Sequence, residues 1–239
     1  MTRKTTKDSV YREPQRQLVD FAFDESVAGV FPDMIRRSVP GYETVIPLTG
    51  LLAARYLQTE SRIYDLGCSL GATTLAVLEQ IGTTNCEIIA VDNSAAMLEQ
   101  AQQGRTWDAR VSFVQSDVSE MEFNNASVVL MNYLLQFVAP DRRLMLLKNI
   151  RKGLRPGGVL ILSEKLAGDD EFNKVHEAFK LANGYSELEV SQKRTALENV
   201  MVPDTLETHL ERLAEAGFNN VSTWFRCLNW VSLIAKVDS

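Results

Sequence analysis

The sequence predicts a doubly wound α/β fold, a mostly parallel sheet of seven strands closed by an antiparallel edge. Three observations carry that prediction. From residue 61 to residue 163, short β-prone runs alternate with helical stretches, the order that builds a parallel sheet. Runs such as Ile88-Ile89-Ala90-Val91 and Val128-Val129-Leu130-Met131 are continuously apolar, which fits strands buried on both faces. Two last runs, 220 to 227 and 229 to 237, follow each other closely enough to pair antiparallel.

Residues 1 to 19, polar and basic without the apolar core of a signal peptide, are expected to form a mobile tail. Residues 20 to 239 then read as one α/β domain. Its N-terminal cap, 20 to 56, starts with two short helices punctuated by Pro32 and Pro40 and continues in a longer helix from Val45 to Tyr56. Strands are predicted at 61 to 66, 86 to 91, 111 to 115, 126 to 131 and 158 to 163, the last fed by a turn at Arg155-Pro156-Gly157-Gly158. A helical insert over 171 to 202 breaks at Asn183-Gly184. A helix over 204 to 216 stops at Gly217 and leads into the terminal pair.

Composition narrows the function. With 239 residues and 45% apolar content, the chain can bury one full core. A net charge of -6 gives no footprint for a polyanion, so direct nucleic-acid binding is not expected. Cys68, Cys86 and Cys227 are too few and too scattered for a disulfide framework or a zinc site. No metal is expected, and a reducing cytoplasm fits. No apolar run approaches the length of a membrane span.

The chemistry concentrates between Ser61 and Asn93. The first strand breaks at Asp65 into Gly67-Cys68-Ser69-Leu70-Gly71, a helix follows, and the second strand ends in Asp92. A carboxylate roughly 20 residues beyond such a turn, at the carboxyl end of a strand, can accept both hydroxyls of a ribose. A dinucleotide site wants a second glycine where Ser69 stands, so a nucleoside ligand with an amino group and no pyrophosphate, such as S-adenosyl-L-methionine, is favoured. The same five residues spell G-x-S-x-G, which makes Ser69 a rival nucleophile of the hydrolase type with His209 as its base. No HGGG-like oxyanion segment precedes it. Asp117 and Asn132 end two further strands, and with Asp65 and Asp92 they point to one shared site.

The strings FDESVAGVFPDMIRRSVPGY, YDLGCSLGATTL, VDNSAAM, NYLLQF, LRPGG, LSEK and NGYSELEVSQKRTALENVM resemble the carboxy-S-adenosyl-L-methionine synthase family, on a class I methyltransferase-like Rossmann fold. That resemblance implies an enzyme converting S-adenosyl-L-methionine and prephenate into carboxy-S-adenosyl-L-methionine and phenylpyruvate. It also implies a homodimer, whose product a downstream tRNA carboxymethyltransferase uses to modify wobble uridine. Carried over, the cofactor contacts fall on Tyr42, Gly67, Cys68, Ser69, Asp92, Asn93, Asp117, Val118 and Asn132, with Arg194 on the added carboxylate and Arg194 and Tyr42 in the catalytic place. The arginine has its own logic: a guanidinium repels an ordinary methyl sulfonium but grips a carboxymethyl one. An acceptor pocket is expected near Lys165, His176 and Lys180. The rivals are an ordinary small-molecule methyltransferase and a non-catalytic S-adenosylmethionine-binding protein. The apolar Leu181, Leu188, Val190, Leu197, Val200 and Met201 of the insert are candidates for burial against a second chain.

Overall fold

The computed structural model describes residues 6–15, 19–103 and 105–238. Its strands are β1 (Ser61–Leu66), β2 (Cys86–Asp92), β3 (Val111–Gln115), β4 (Ala126–Asn132), β5 (Leu154–Lys165), β6 (Asn220–Cys227) and β7 (Trp230–Lys236). They form one sheet in the order β3-β2-β1-β4-β5-β7-β6. Neighbours are parallel except where β7 inserts antiparallel between β5 and β6. The chain winds outward from β1 to β3 and restarts at β4 on the other side of β1. That reversal opens a crevice over the carboxyl ends of the strands.

Period-two alternation divides the strand side chains between two cores. Ile63, Ile88, Val128, Leu130 and Ile161 pack with Ala53 of α2 (Tyr42–Tyr56) and with Val77 and Ile81 of α3 (Ala72–Ile81). On the opposite face Leu66, Val129, Met131, Leu160 and Leu162 meet Leu146, Leu147 and Ile150 of α5 (Pro140–Gly153) and Leu213 of α8 (Leu206–Glu215). Central β4 is therefore sealed from water on both faces. Each such aliphatic side chain contributes about 1.5–3 kcal/mol by burial. α2 and α3 touch so closely at Gly50 that a β-carbon there would stand 2.3 Å from the Ala76 carbonyl oxygen.

The cap differs from the sequence expectation. One helix, α1 (Glu25–Ser38), replaces the two short ones and runs through Pro32. Buried Val27, Val30 and Met34 hold its inner face, and the Asp24 carboxylate accepts the Val27 N–H at 3.0 Å, so the bond that Pro32 cannot donate is offset. Gly41, at φ +80, then lets α2 start at Tyr42.

The expected tail is also corrected. Residues 1–5 and 16–18 lie outside the described residues, but Asp8 and Tyr11 are buried. Asp8 accepts the Tyr185 hydroxyl at 2.5 Å, and Gln192 accepts the Gln15 N–H while donating to the carbonyls of Tyr11 and Glu13. This N-terminal strap packs on the insert, with Tyr11 in a cluster of Phe21, Met34, Ala196 and Met97 of α4 (Ala95–Gln102).

The insert folds as α6 (Asp170–Ala182) and α7 (Glu187–Leu197), broken at Asn183-Gly184, with Ser186 and Glu189 capping α7 reciprocally. Val190 is buried within the chain, whereas Leu181 and Leu188 are exposed. The predicted turn at 155–158 is an irregularity inside β5: Ala126 pairs with Leu154 and Val128 with Val159, the extra residues bulging out around Gly157 at φ +71.

Candidate active site

The glycine loop leaves β1 through three positive-φ residues, Gly67, Ser69 and Gly71. Asp65, just ahead of it, turns into the fold: it is buried, accepts the Thr74 hydroxyl at 2.6 Å, and braces the loop against α3. Burial pushes its carboxyl up to about 6. It does not line the cavity, so the grouping of Asp65 with the ligand-facing strand ends is corrected. Asp92 does face the cavity. Its Oδ2 accepts the Ser69 N–H at 2.8 Å and its Oδ1 the Ser94 N–H at 2.9 Å. A carboxylate has about four lone-pair sites, so one on each oxygen remains for a ribose hydroxyl.

Over these strand ends lies a cavity of about 1160 Å³ whose wall includes Tyr42, Gly67, Cys68, Ser69, Asp92, Asn93, Asp117, Val118 and Asn132. Asp117 spends Oδ1 on the Ser119 N–H at 2.8 Å, which fixes the turn, while Oδ2 has only the Arg142 guanidinium at 3.8 Å and keeps room to accept from an amino group. Asn132 donates its Nδ2 to Thr73 Oγ1 at 3.2 Å, and its buried Oδ1 has no partner. Leaving such an acceptor unsatisfied costs roughly 1–3 kcal/mol, which a donating ligand recovers. These residues fit an amino-bearing nucleoside such as S-adenosylmethionine. Tyr42 is half-buried against Tyr133, and desolvation raises its phenol above the usual range. It is thus a protonated donor and a poor base.

The nucleophile reading of Ser69 finds no base. The Ser69 hydroxyl turns to Met97 Sδ at 3.6 Å. His176 donates Nε2–H to the Ser38 carbonyl at 2.7 Å, and His209 is buried with neither ring nitrogen partnered. Cys68 is buried, and desolvation pushes its thiol up, so it is inert. Among the described residues no His, Cys, Asp and Glu group is placed to hold a metal ion.

Arg194 stands apart from the other predicted residues. It does not line the cavity; its side chain is 66% exposed and pairs with Glu177 of α6 at 2.7 Å. Its neighbour Lys193 points the other way, into the cavity wall, with Nζ donating to Ser38 Oγ at 3.1 Å. Lys165, Lys180 and His176 line the same end. Desolvation lowers all four, Lys193 to about 7, Lys180 to about 8 and His176 to about 3. The pocket expected at Lys165, His176 and Lys180 is therefore a basic end, and Lys193 is the residue that sequence reasoning missed. Its signal was present: Lys193 sits with Val190, Ala196 and Leu197 on the inward stripe of α7. Trp230 meets both Tyr133 and His176 edge-on, at 5.3 and 5.7 Å between ring centres, so an aromatic wall joins the two ends.

A methyltransferase-domain family matches residues 63–158. In fold the chain resembles a putative S-adenosyl-L-methionine-dependent methyltransferase from Methanococcus maripaludis (TM-score 0.62, 20% identity, 94% of this chain and 98% of that one). It also resembles human N-acetylserotonin methyltransferase (TM-score 0.63, 15% identity, 90% of this chain and 56% of that one). Sequence relatives decide the family. The carboxy-S-adenosyl-L-methionine synthase of Geobacter sp. strain M21 is 50% identical, over 98% of this chain and 99% of that protein. Its namesake in Pseudomonas putida strain KT2440 is 52% identical, over 95% and 97%. The chain belongs to the carboxy-S-adenosyl-L-methionine synthase family. It is thus an enzyme, a transferase, on the methyltransferase-like sheet that the sequence predicts. The two ends of the cavity are unequal: Asp92, Asp117 and Asn132 line one, and Lys165, Lys180 and Lys193 line the other.

Proposed function

We propose that the chain converts S-adenosyl-L-methionine and prephenate into carboxy-S-adenosyl-L-methionine and phenylpyruvate. The observation that carries this reading is the division of one cavity into a nucleoside end, at Asp92, Asp117 and Asn132, and a basic end, at Lys165, Lys180 and Lys193. A neutral methyl acceptor has no use for three ammonium groups. An anionic second substrate does, and prephenate carries two carboxylates.

In this reading prephenate loses its ring carboxylate as carbon dioxide, and that electron pair aromatises the ring and expels the hydroxyl. The hydroxide and a proton of the sulfonium methyl become water, and the ylide left behind attacks the carbon dioxide. The enzyme contributes mainly proximity and exclusion of water, because free carbon dioxide escapes and an ylide is quickly reprotonated. The aromatic wall of Tyr42, Tyr133 and Trp230 supplies a dry surface for the ring.

Arg194 then grips the new carboxylate. Because it lies outside its own cavity and exposed, delivery to the cavity of a second copy in a homodimer is the arrangement the geometry favours. The product leaves for a downstream tRNA carboxymethyltransferase in the cytoplasm, and a net charge of -6 fits an enzyme that does not itself hold the tRNA. Incubation with S-adenosyl-L-methionine and prephenate, followed by mass spectrometry, tests the reading. Both products are expected, and the absence of both sinks it. Methyl transfer to an added acceptor would favour the ordinary methyltransferase.

A further inference from the structure

We infer that Lys165, Lys180 and Lys193 form the subsite for the carboxylate that the second substrate keeps, the 2-oxo-acid carboxylate, and not for the one it loses. The inference rests on the proposed use of prephenate and assigns residues and an orientation to it.

The three ammonium groups come from three elements, Lys165 from the end of β5, Lys180 from α6 and Lys193 from α7, and line one end of the cavity. Lys193 is only 7% exposed. None of the three forms an ion pair among the described residues. Two acids lie near enough to be felt, Glu177 by Lys165 and Lys180 and Asp8 by Lys193, but their direct contacts go elsewhere: Glu177 pairs with Arg194, and Asp8 accepts from Tyr185 and from the Val10 N–H. The lysines act on one another as like charges, Lys165 on Lys180 and Lys180 on Lys193. Three ammonium groups gathered at one cavity end, one buried and two half-buried, with no carboxylate in direct contact, are costly, and an entering anion relieves that cost. Ser38 positions the cluster from the end of α1, receiving Lys193 on its hydroxyl and His176 on its carbonyl.

Chemistry chooses between the two carboxylates. The one lost as carbon dioxide gives up its charge on the way to the transition state, so an ammonium bound to it would stabilise the ground state more and slow the step. The retained carboxylate keeps its charge from substrate to product. Cations there orient the donor without raising the barrier. With the oxo-acid side chain anchored at the lysines, the ring lies along Tyr133 and Trp230, between the anchor and the cofactor.

Phenylpyruvate carries the retained carboxylate and lacks the lost one, so it separates these assignments. Calorimetric binding of phenylpyruvate to protein saturated with S-adenosylhomocysteine is compared for the native chain, Lys180→Met, Lys193→Met and Lys180→Arg. Each methionine variant should weaken phenylpyruvate roughly tenfold to a hundredfold. It should raise KM for prephenate by a similar factor and leave kcat within about threefold. Lys180→Arg should recover most of the loss. S-adenosylhomocysteine affinity should stay within about twofold, which also shows that the variants fold. Phenylpyruvate binding that ignores the lysines, or fails in the native chain, overturns the subsite. So does an equal loss of S-adenosylhomocysteine affinity, which would place the cofactor's own carboxylate on the lysines. Native protein that binds phenylpyruvate through the lysines yet never turns prephenate over would remove the proposed reaction and leave the oxo-acid subsite standing.

Discussion

The Ser69 N–H donates to Asp92 Oδ2 at 2.8 Å, so the acid proposed to hold the ribose also fixes the loop beneath it. Asp92→Ala should therefore lose both functions. Two charge-assisted hydrogen bonds to a ligand, at roughly 1.5–3 kcal/mol each, imply at least a hundredfold weaker binding of S-adenosylhomocysteine by calorimetry. Binding within threefold of the native chain would remove Asp92 from the site.

The Arg194–Glu177 pair makes a prediction about assembly. Arg194→Ala alone and Asp92→Ala alone should each be inactive, but a heterodimer of the two, co-expressed with different tags and purified through both, should regain activity. One cavity in that heterodimer has an intact Asp92 and receives Arg194 from the other copy. A heterodimer as inactive as its parents would mean that Arg194 serves its own chain.

What the sequence revealed, and what it hid, follows from the range of the interactions. Asp92, Asp117 and Asn132 were legible because Asp92 and Asn132 end strands and Asp117 follows one by two residues, and strand ends in a doubly wound sheet converge. Asp65 obeys the same pattern but faces Thr74 on the next helix, a choice of side-chain direction that strand position does not determine. Tyr42 came only through family resemblance, since its place above the loop depends on how α2 crosses the sheet. Lys193 was overlooked beside Arg194, although one step along a helix turns a side chain by about 100°, which is why one faces the cavity and the other solvent. The strap at residues 8–15 was hidden because its partners Tyr185 and Gln192 lie at the far end of the chain.

His209 predicts the acid limb of the stability curve. Desolvation lowers its imidazole from 6.5 to about 4, so the folded state holds it neutral. A depressed folded value gives stability that is complete above pH 6.5 and is lost as pH falls through 4, at about 1.4 kcal/mol for each pH unit crossed between the two values. His209→Leu should flatten the fall in Tm between pH 6.5 and 4. An unchanged slope would assign the acid sensitivity to other groups, such as His176.

Asp204 binds two arginines through one oxygen, Arg143 at 2.5 Å and Arg212 at 2.6 Å, and Arg143 is fully buried. Removing one partner of a buried pair strands the other charge, at about 3–5 kcal/mol. Asp204→Ala should lose that much in urea unfolding, and Arg143→Met added to it should restore part. A loss below about 1 kcal/mol would show that water reaches the guanidinium.

If both substrates share one closed cavity, the carbon added to the cofactor comes from the second substrate and never from solution. Prephenate labelled with carbon-13 in its ring carboxylate, incubated with S-adenosyl-L-methionine in ordinary bicarbonate, separates the two sources by mass spectrometry. Carboxy-S-adenosyl-L-methionine should carry the label, in stoichiometric yield with phenylpyruvate. Unlabelled carboxylated product, or label found only in bicarbonate, would contradict capture inside the cavity.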